Sequence, residues 1–151
     1  MPVAKLKEFL DSHRVKYVTI IHSPAYTSQE IAHSAHISGW ELAKTVVVKM
    51  DGKFAMVVVP APEKIDLELV MEAAGASKVS LATEEEFQGL FPECELGAMP
   101  PFGHLYGLPV FAAEDLARDE MIAFNAGSHS ELIEMALDDY VRLAQPRFFK
   151  P

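Results

Sequence analysis

The stretch Lys44-Thr-Val-Val-Val-Lys-Met-Asp-Gly-Lys-Phe-Ala-Met-Val-Val-Val-Pro60 decides the fold, because two β-branched runs flank Asp51-Gly52, a dipeptide that favours a tight hairpin turn. It predicts strands over 45–50 and 53–59, paired antiparallel. Both runs are almost continuously apolar, so the hairpin is expected to lie centrally with both faces covered. Upstream, Leu6, Phe9, Leu10 and His13 recur at helical spacing and predict a helix over 3–13. Tyr17 to Ile21 reads as a short strand stopped by Ser23-Pro24. Thr27 with Glu30 forms a capping box for a helix through about His36, ended by Gly39.

Downstream, Asp66 to Ala74 predicts a helix closed by Gly75, and Thr83-Glu84-Glu85-Glu86 opens a short one with acids at its positive end. Residues 91–109 are dense in proline and glycine and read as an irregular, functional loop region. Strands follow at 110–112, 121–124 and 131–135, the last two joined across residues 125–129, and a helix over 138–144 closes the chain. No internal repeat or linker is visible. The expectation is one domain spanning 1–151, of mixed α and β class.

The chain has 151 residues, half of them hydrophobic and 23% charged, which is globular composition and excludes disordered and collagen-like classes. No apolar run is long enough for a membrane helix, and the first ten residues lack a signal-peptide layout, so a cytoplasmic protein without membrane contact is expected. The lone cysteine, Cys94, excludes an internal disulfide and reads as a spectator beside acidic neighbours. Net charge is −9, which argues against broad attraction to DNA. Residues 1–53 nevertheless hold seven Lys or Arg against five acids, so any polyanion contact is expected in that half.

Taken singly, the chemistry-bearing residues are ambiguous. His33 and His36 share a helical face but lack the further ligands of a zinc site, so no metal or other cofactor is expected. Ser128 beside His129 suggests a nucleophile and base, yet neighbours on an extended chain face opposite ways and no nucleophile elbow is present; by itself Gly127-Ser128-His129 reads better as a hairpin turn. In Gly97-Ala98-Met99-Pro100-Pro101 the prolines remove amide donors and fix carbonyls, which suits recognition of a ribose or ammonium group and also suits a plain turn. Lys44, just before an apolar run, could anchor a phosphate or a developing negative charge, or simply reach to water from a strand end.

Together, His-Ser-Pro-Ala-Tyr-Thr-Ser-Gln-Glu-Ile-Ala from His22, Leu-Ala-Lys-Thr-Val-Val-Val-Lys-Met-Asp-Gly-Lys from Leu42, Gly-Ala-Met-Pro-Pro-Phe-Gly from Gly97 and Phe-Asn-Ala-Gly-Ser-His-Ser-Glu-Leu-Ile-Glu-Met from Phe124 form an ordered set. It resembles the YbaK and prolyl-tRNA synthetase editing-domain superfamily of aminoacyl-tRNA deacylases, from about Val3 to Leu143. The resemblance implies a mixed, mostly antiparallel curved sheet surrounded by helices. It also implies hydrolysis, in trans, of the ester of a mischarged tRNA carrying a small amino acid, alanine or serine foremost, with tRNA(Pro) as the expected tRNA.

On the same resemblance Lys44 is the catalytic candidate, and Gly97, Ala98, Met99, Pro101, Gly127, Ser128 and His129 bind substrate, with His22, Tyr26 and Thr27 as further pocket-wall residues. The partner is the CCA end of the tRNA, with a synthetase or elongation factor as a possible helper, because so acidic a chain can make few phosphate contacts. The alternatives are a Cys-tRNA(Pro) deacylase, a module that binds the CCA end without turnover, and a metal-dependent hydrolase.

Overall fold

The computed structural model describes residues 4–21, 40–91, 94, 95 and 97–150, apart from the side chain of Gln88. The expected helix over 27–36, and with it His22, Tyr26, Thr27, His33 and His36, lies outside the described residues. The first elements are α1 (Ala4–Ser12) and β1 (Tyr17–Ile21), followed by the hairpin of β2 (Leu42–Met50) and β3 (Lys53–Pro60). After it come α2 (Leu67–Ala74), β4 (Val79–Leu81), α3 (Glu84–Phe87) and β5 (Val110–Ala113). The chain finishes with β6 (Met121–Ser128), β7 (Glu131–Ala136), α4 (Leu137–Ala144) and β8 (Arg147–Phe149).

The hairpin forms as its sequence predicts. Asp51 and Gly52 both take positive φ, +49° and +85°, the pairing that matches the twist of a two-residue hairpin. The Asp51 carboxylate also accepts from the Ser77 and Lys78 backbone N–H groups, which ties the turn to the segment leading into β4. Asp66 caps α2 by accepting from Glu68 and Leu69 N–H, and Gly75 closes it in the left-handed conformation. At α3, Thr83 Oγ1 accepts from Glu86 N–H while the Glu86 carboxylate accepts from Thr83 N–H, a capping box.

The eight strands form one sheet ordered β1-β7-β6-β2-β3-β5-β8, with β4 also on β2. Four pairings are antiparallel and three parallel among the described residues, so the sheet is mixed with a small antiparallel majority. Alternation sorts the hairpin onto two cores, as its two apolar faces require. Ala43, Val47, Met56 and Val58 face a large cluster with Leu6 and Leu10 of α1, Tyr140 of α4, and Phe91, Met99 and Phe102 of the loop region. Val48, Ala55, Val57 and Val59 face a second cluster closed by Val70 of α2.

Three expectations need correction. The strand starting at 121 runs on to Ser128, so residues 125–128 belong to β6 and not to a joining turn; a bulge between Asn125 and Ser128, with Gly127 at φ +99°, absorbs the extra residues. Strands β4 and β8, three residues each, are too short to show a periodicity in sequence. Lys44 is not at a strand end. It lies inside β2, paired with Val59 in the middle of the sheet.

Candidate active site

The site begins where the sheet divides. Parallel strands β2 and β6 pair only through Leu42 with Ala123 and Ala43 with Phe124. Farther along the same edge of β2, β4 pairs with Val48 to Met50, and Ala82 N–H donates to the Val47 carbonyl. Among the described residues no strand pairs with that edge between these two contacts, so β2 and β6 part at Lys44. The parting opens just past the two paired positions, at Lys44 of β2 and Asn125 of β6.

Lys44 shares its face of β2 with Leu42 and Val48, which belong to clusters on the side of the sheet away from α1. Half-buried there, its ammonium loses hydration, and burial lowers its pKa from the ordinary lysine value while the nearby Glu63 charge opposes the shift. Glu63 is itself pushed up to about 7, first by burial and then by the neighbouring Asp115 carboxyl, with Arg118 and Lys44 pulling the other way. A second carboxyl group, Glu41, just before β2, is also raised to about 7 by burial and by Glu134. The lysine is thus a cation held in poorly solvated surroundings near carboxyl groups that share protons.

Across the parting, the loop at Gly97 and the end of β6 form one unit. Gly127 N–H donates to the Ala98 carbonyl at 2.9 Å, Glu95 N–H donates to the Gly127 carbonyl at 2.8 Å, and His129 N–H donates to the Glu95 carboxylate at 3.0 Å. Gly97 has φ +85°, and a Cβ there would lie 3.5 Å from His129 Cε1, so the imidazole rests directly on the glycine. Ala98 and Met99 are buried, and Gly97 is the exposed residue of the loop. The Pro101 carbonyl accepts from the buried Tyr140 hydroxyl at 2.9 Å, which anchors the loop to α4.

The structure therefore brings together Gly97, Ala98, Gly127 and His129, and Lys44 lies on β2 where β6 leaves it. Ser128 is buried, with its Oγ 3.2 Å from Ser130 Oγ, a local turn contact rather than a nucleophile–base pair. Cys94 Sγ lies 3.5 Å from the Tyr106 hydroxyl. Two participants were missed in sequence: Glu95, whose role as the carboxylate under the His129 amide has no local signature, and Asn125, a lone amide in an otherwise apolar run, which could have been suspected. Among the described residues no three His, Cys, Asp or Glu side chains converge as metal ligands would, and no helix is long and apolar enough to cross a membrane.

The fold is shared with solved structures. A solved chain described as a candidate trans-editing enzyme for prolyl-tRNA synthetase superposes with a TM-score of 0.81 at 21% identity, covering 97% of this chain and 95% of that one. A hypothetical protein of known structure superposes with a TM-score of 0.85 at 21% identity, covering 95% and 96%. In sequence, the aminoacyl-tRNA editing domain model matches residues 22–143, and the chain belongs to that family. Similar proteins include the multifunctional Ser/Thr-tRNA deacylase ProXp-y of Escherichia coli K12, 33% identical over 109 residues that cover 69% of this chain and 65% of that protein. The prolyl-tRNA editing protein ProX of Acetoanaerobium sticklandii is 24% identical over 143 residues, covering 90% and 86%. The proline–tRNA ligase of Bacillus cytotoxicus is 33% identical over 89 residues, 59% of this chain and 16% of the ligase.

Proposed function

We propose that this chain is a trans-editing aminoacyl-tRNA deacylase, a cytoplasmic single domain that hydrolyses the ester of a mischarged tRNA carrying a small amino acid, serine or alanine foremost, on tRNA(Pro). The observation that carries the reading is a half-buried Lys44 on β2 at the point where β6 leaves it, with the hydrogen-bonded unit of Gly97, Ala98, Gly127 and His129 at the end of β6. The names of the similar deacylases support the substrate class.

The chemistry asks for position and charge more than for a nucleophile. Water attacks the ester carbonyl carbon, negative charge gathers on the carbonyl oxygen, and the bond from that carbon to the ribose oxygen breaks. The proton released by the water passes to the departing ribose oxygen, with the vicinal hydroxyl as relay. Lys44 stabilises the developing charge or holds a phosphate of the CCA end, and its desolvation strengthens either interaction. The Gly97 backbone seats the terminal adenosine, with Ala98 holding the loop against β6, and His129 walls the amino-acid pocket. Gripping one single-stranded end needs few cationic contacts, which fits a chain of net charge −9.

The test is deacylation of tRNA(Pro) and tRNA(Ala) charged with Ala, Ser, Thr, Cys or Pro, with EDTA present. Multiple turnover on one or two small mischarged species is expected. Stoichiometric binding with no turnover on any species would make the chain a binding module instead, turnover confined to Cys-tRNA(Pro) would select the cysteine branch, and loss of activity on chelation would require a metal.

A further inference from the structure

The described residues contain three buried polar side chains, Asn125, Ser128 and Glu131, all at the end of β6 and the start of β7 beside the parting. Ser128 is served by Ser130. Asn125 is different, because its side-chain oxygen is shut off from water and has no hydrogen-bond partner among the described residues, although the residue is only 8% exposed. Leaving such an acceptor unmade costs about 1–3 kcal/mol, a cost that a donor arriving with a ligand would offset.

Asn125 pairs with Leu132, and Leu132 packs with Leu42 and Ala123 on one face of the sheet. Lys44 lies two residues beyond Leu42, and Asn125 lies two residues beyond Ala123, the β6 partner of Leu42. Alternation therefore sets the lysine and the amide on the same face at the same level, one on each side of the parting.

We propose that Asn125 is a specificity-determining residue whose Oδ1 accepts a hydrogen bond from the side-chain hydroxyl of the aminoacyl group, so that the pocket selects seryl and threonyl esters over alanyl ones. The inference rests on the deacylase reading and narrows its substrate. The α-ammonium is the poorer occupant, because the Lys44 cation on the same face repels it. A hydroxyl is a neutral donor that fits beside a cation. The last side-chain torsion of asparagine is soft, so the amide can turn its oxygen toward an arriving hydroxyl at small cost. A pocket built to bond a hydroxyl penalises the analogue lacking it far more than an apolar pocket discriminates one methylene.

The test measures kcat/KM on Ser-, Thr- and Ala-tRNA(Pro) for the wild type and Asn125→Leu, with Asn125→Ala as a second variant and circular dichroism to verify folding. The wild type is expected to favour Ser over Ala by at least about tenfold, and that ratio is expected to fall about tenfold in a folded variant. A wild type that favours alanine overturns the inference even if neither variant folds. So does an unchanged ratio, or an equal fall on all three substrates, which would mean that Asn125 only holds Lys44 in place. Failure of the wild type on every substrate would instead remove the deacylase reading, a result distinguishable from the others.

Discussion

Lysines lie two residues inside one end of β2 and one residue inside the other, and they behave as different residues. At Lys49 the strand is paired on both edges, with β3 and β4, and the side chain reaches outward to donate to the Glu86 carboxylate at 2.6 Å. That bond, with the Thr83 amide behind it, holds the Glu86 carboxyl down to about 2. At Lys44 the neighbouring strand departs, burial replaces solvent, and the ammonium is shifted down instead. One end of the strand is finished structure. The other lies beside the edge that β6 leaves, and the difference comes from where β6 leaves β2 rather than from residue type.

The sharpest way to break this comparison is to remove the two lysines separately. Lys44→Ala is expected to lower deacylation about 100-fold or more, the scale of losing one preorganised group at a developing charge, while Lys49→Ala leaves turnover at the wild-type level. Equal losses would erase the distinction between the two ends.

The next effects concern the loop that backs the parted end. At Gly103, in the short helical turn after the prolines, a Cβ would lie 2.4 Å from the Leu108 carbonyl oxygen. Gly103→Ala is therefore expected to cost about 1–3 kcal/mol, read from the urea midpoint. An unchanged midpoint would show that the loop gives way freely. Tyr140→Phe removes the hydroxyl that donates to the Pro101 carbonyl, and should cost about 1 kcal/mol in the same measurement, with a fall in turnover if the anchored loop seats the adenosine.

The smallest effect is a tilt with pH. The Glu63 carboxyl is raised in the folded protein from its ordinary 4.5 to about 7, so its proton-linked stability is present below about 4.5 and lost as pH rises through 7. Glu63→Gln removes the ionisation, and its melting temperature relative to wild type is expected to rise between pH 5 and pH 8. A constant difference would place Glu63 in ordinary solvent.

The hairpin was legible because Asp51-Gly52 states its turn chemistry and the flanking runs state their burial. Helices α1, α2 and α4 were legible from periodicity and caps. The motifs around Lys44, Gly97 and His129 were legible as an ordered set, although no single one of them was decisive. The division of the sheet was not legible, because it depends on a parallel pairing of two residues between strands far apart in the chain, and nothing local records it. The same reason hid the extent of β6: Asn125-Ala-Gly-Ser reads as a turn until β7 pairs around its bulge. Glu95 was hidden because its partner amide is 34 residues away.

The most direct test of the parted-strand site is amide chemical-shift mapping on the full chain with a non-hydrolysable seryl-amide analogue of the terminal adenosine. The expected shifts concentrate on Lys44, Ala98, Gly127 and His129 and spare Lys49 to Lys53. Shifts that gather on Lys49, Asp51 and Lys78 instead, or saturable binding that leaves Lys44 and Gly127 unmoved, would contradict the account.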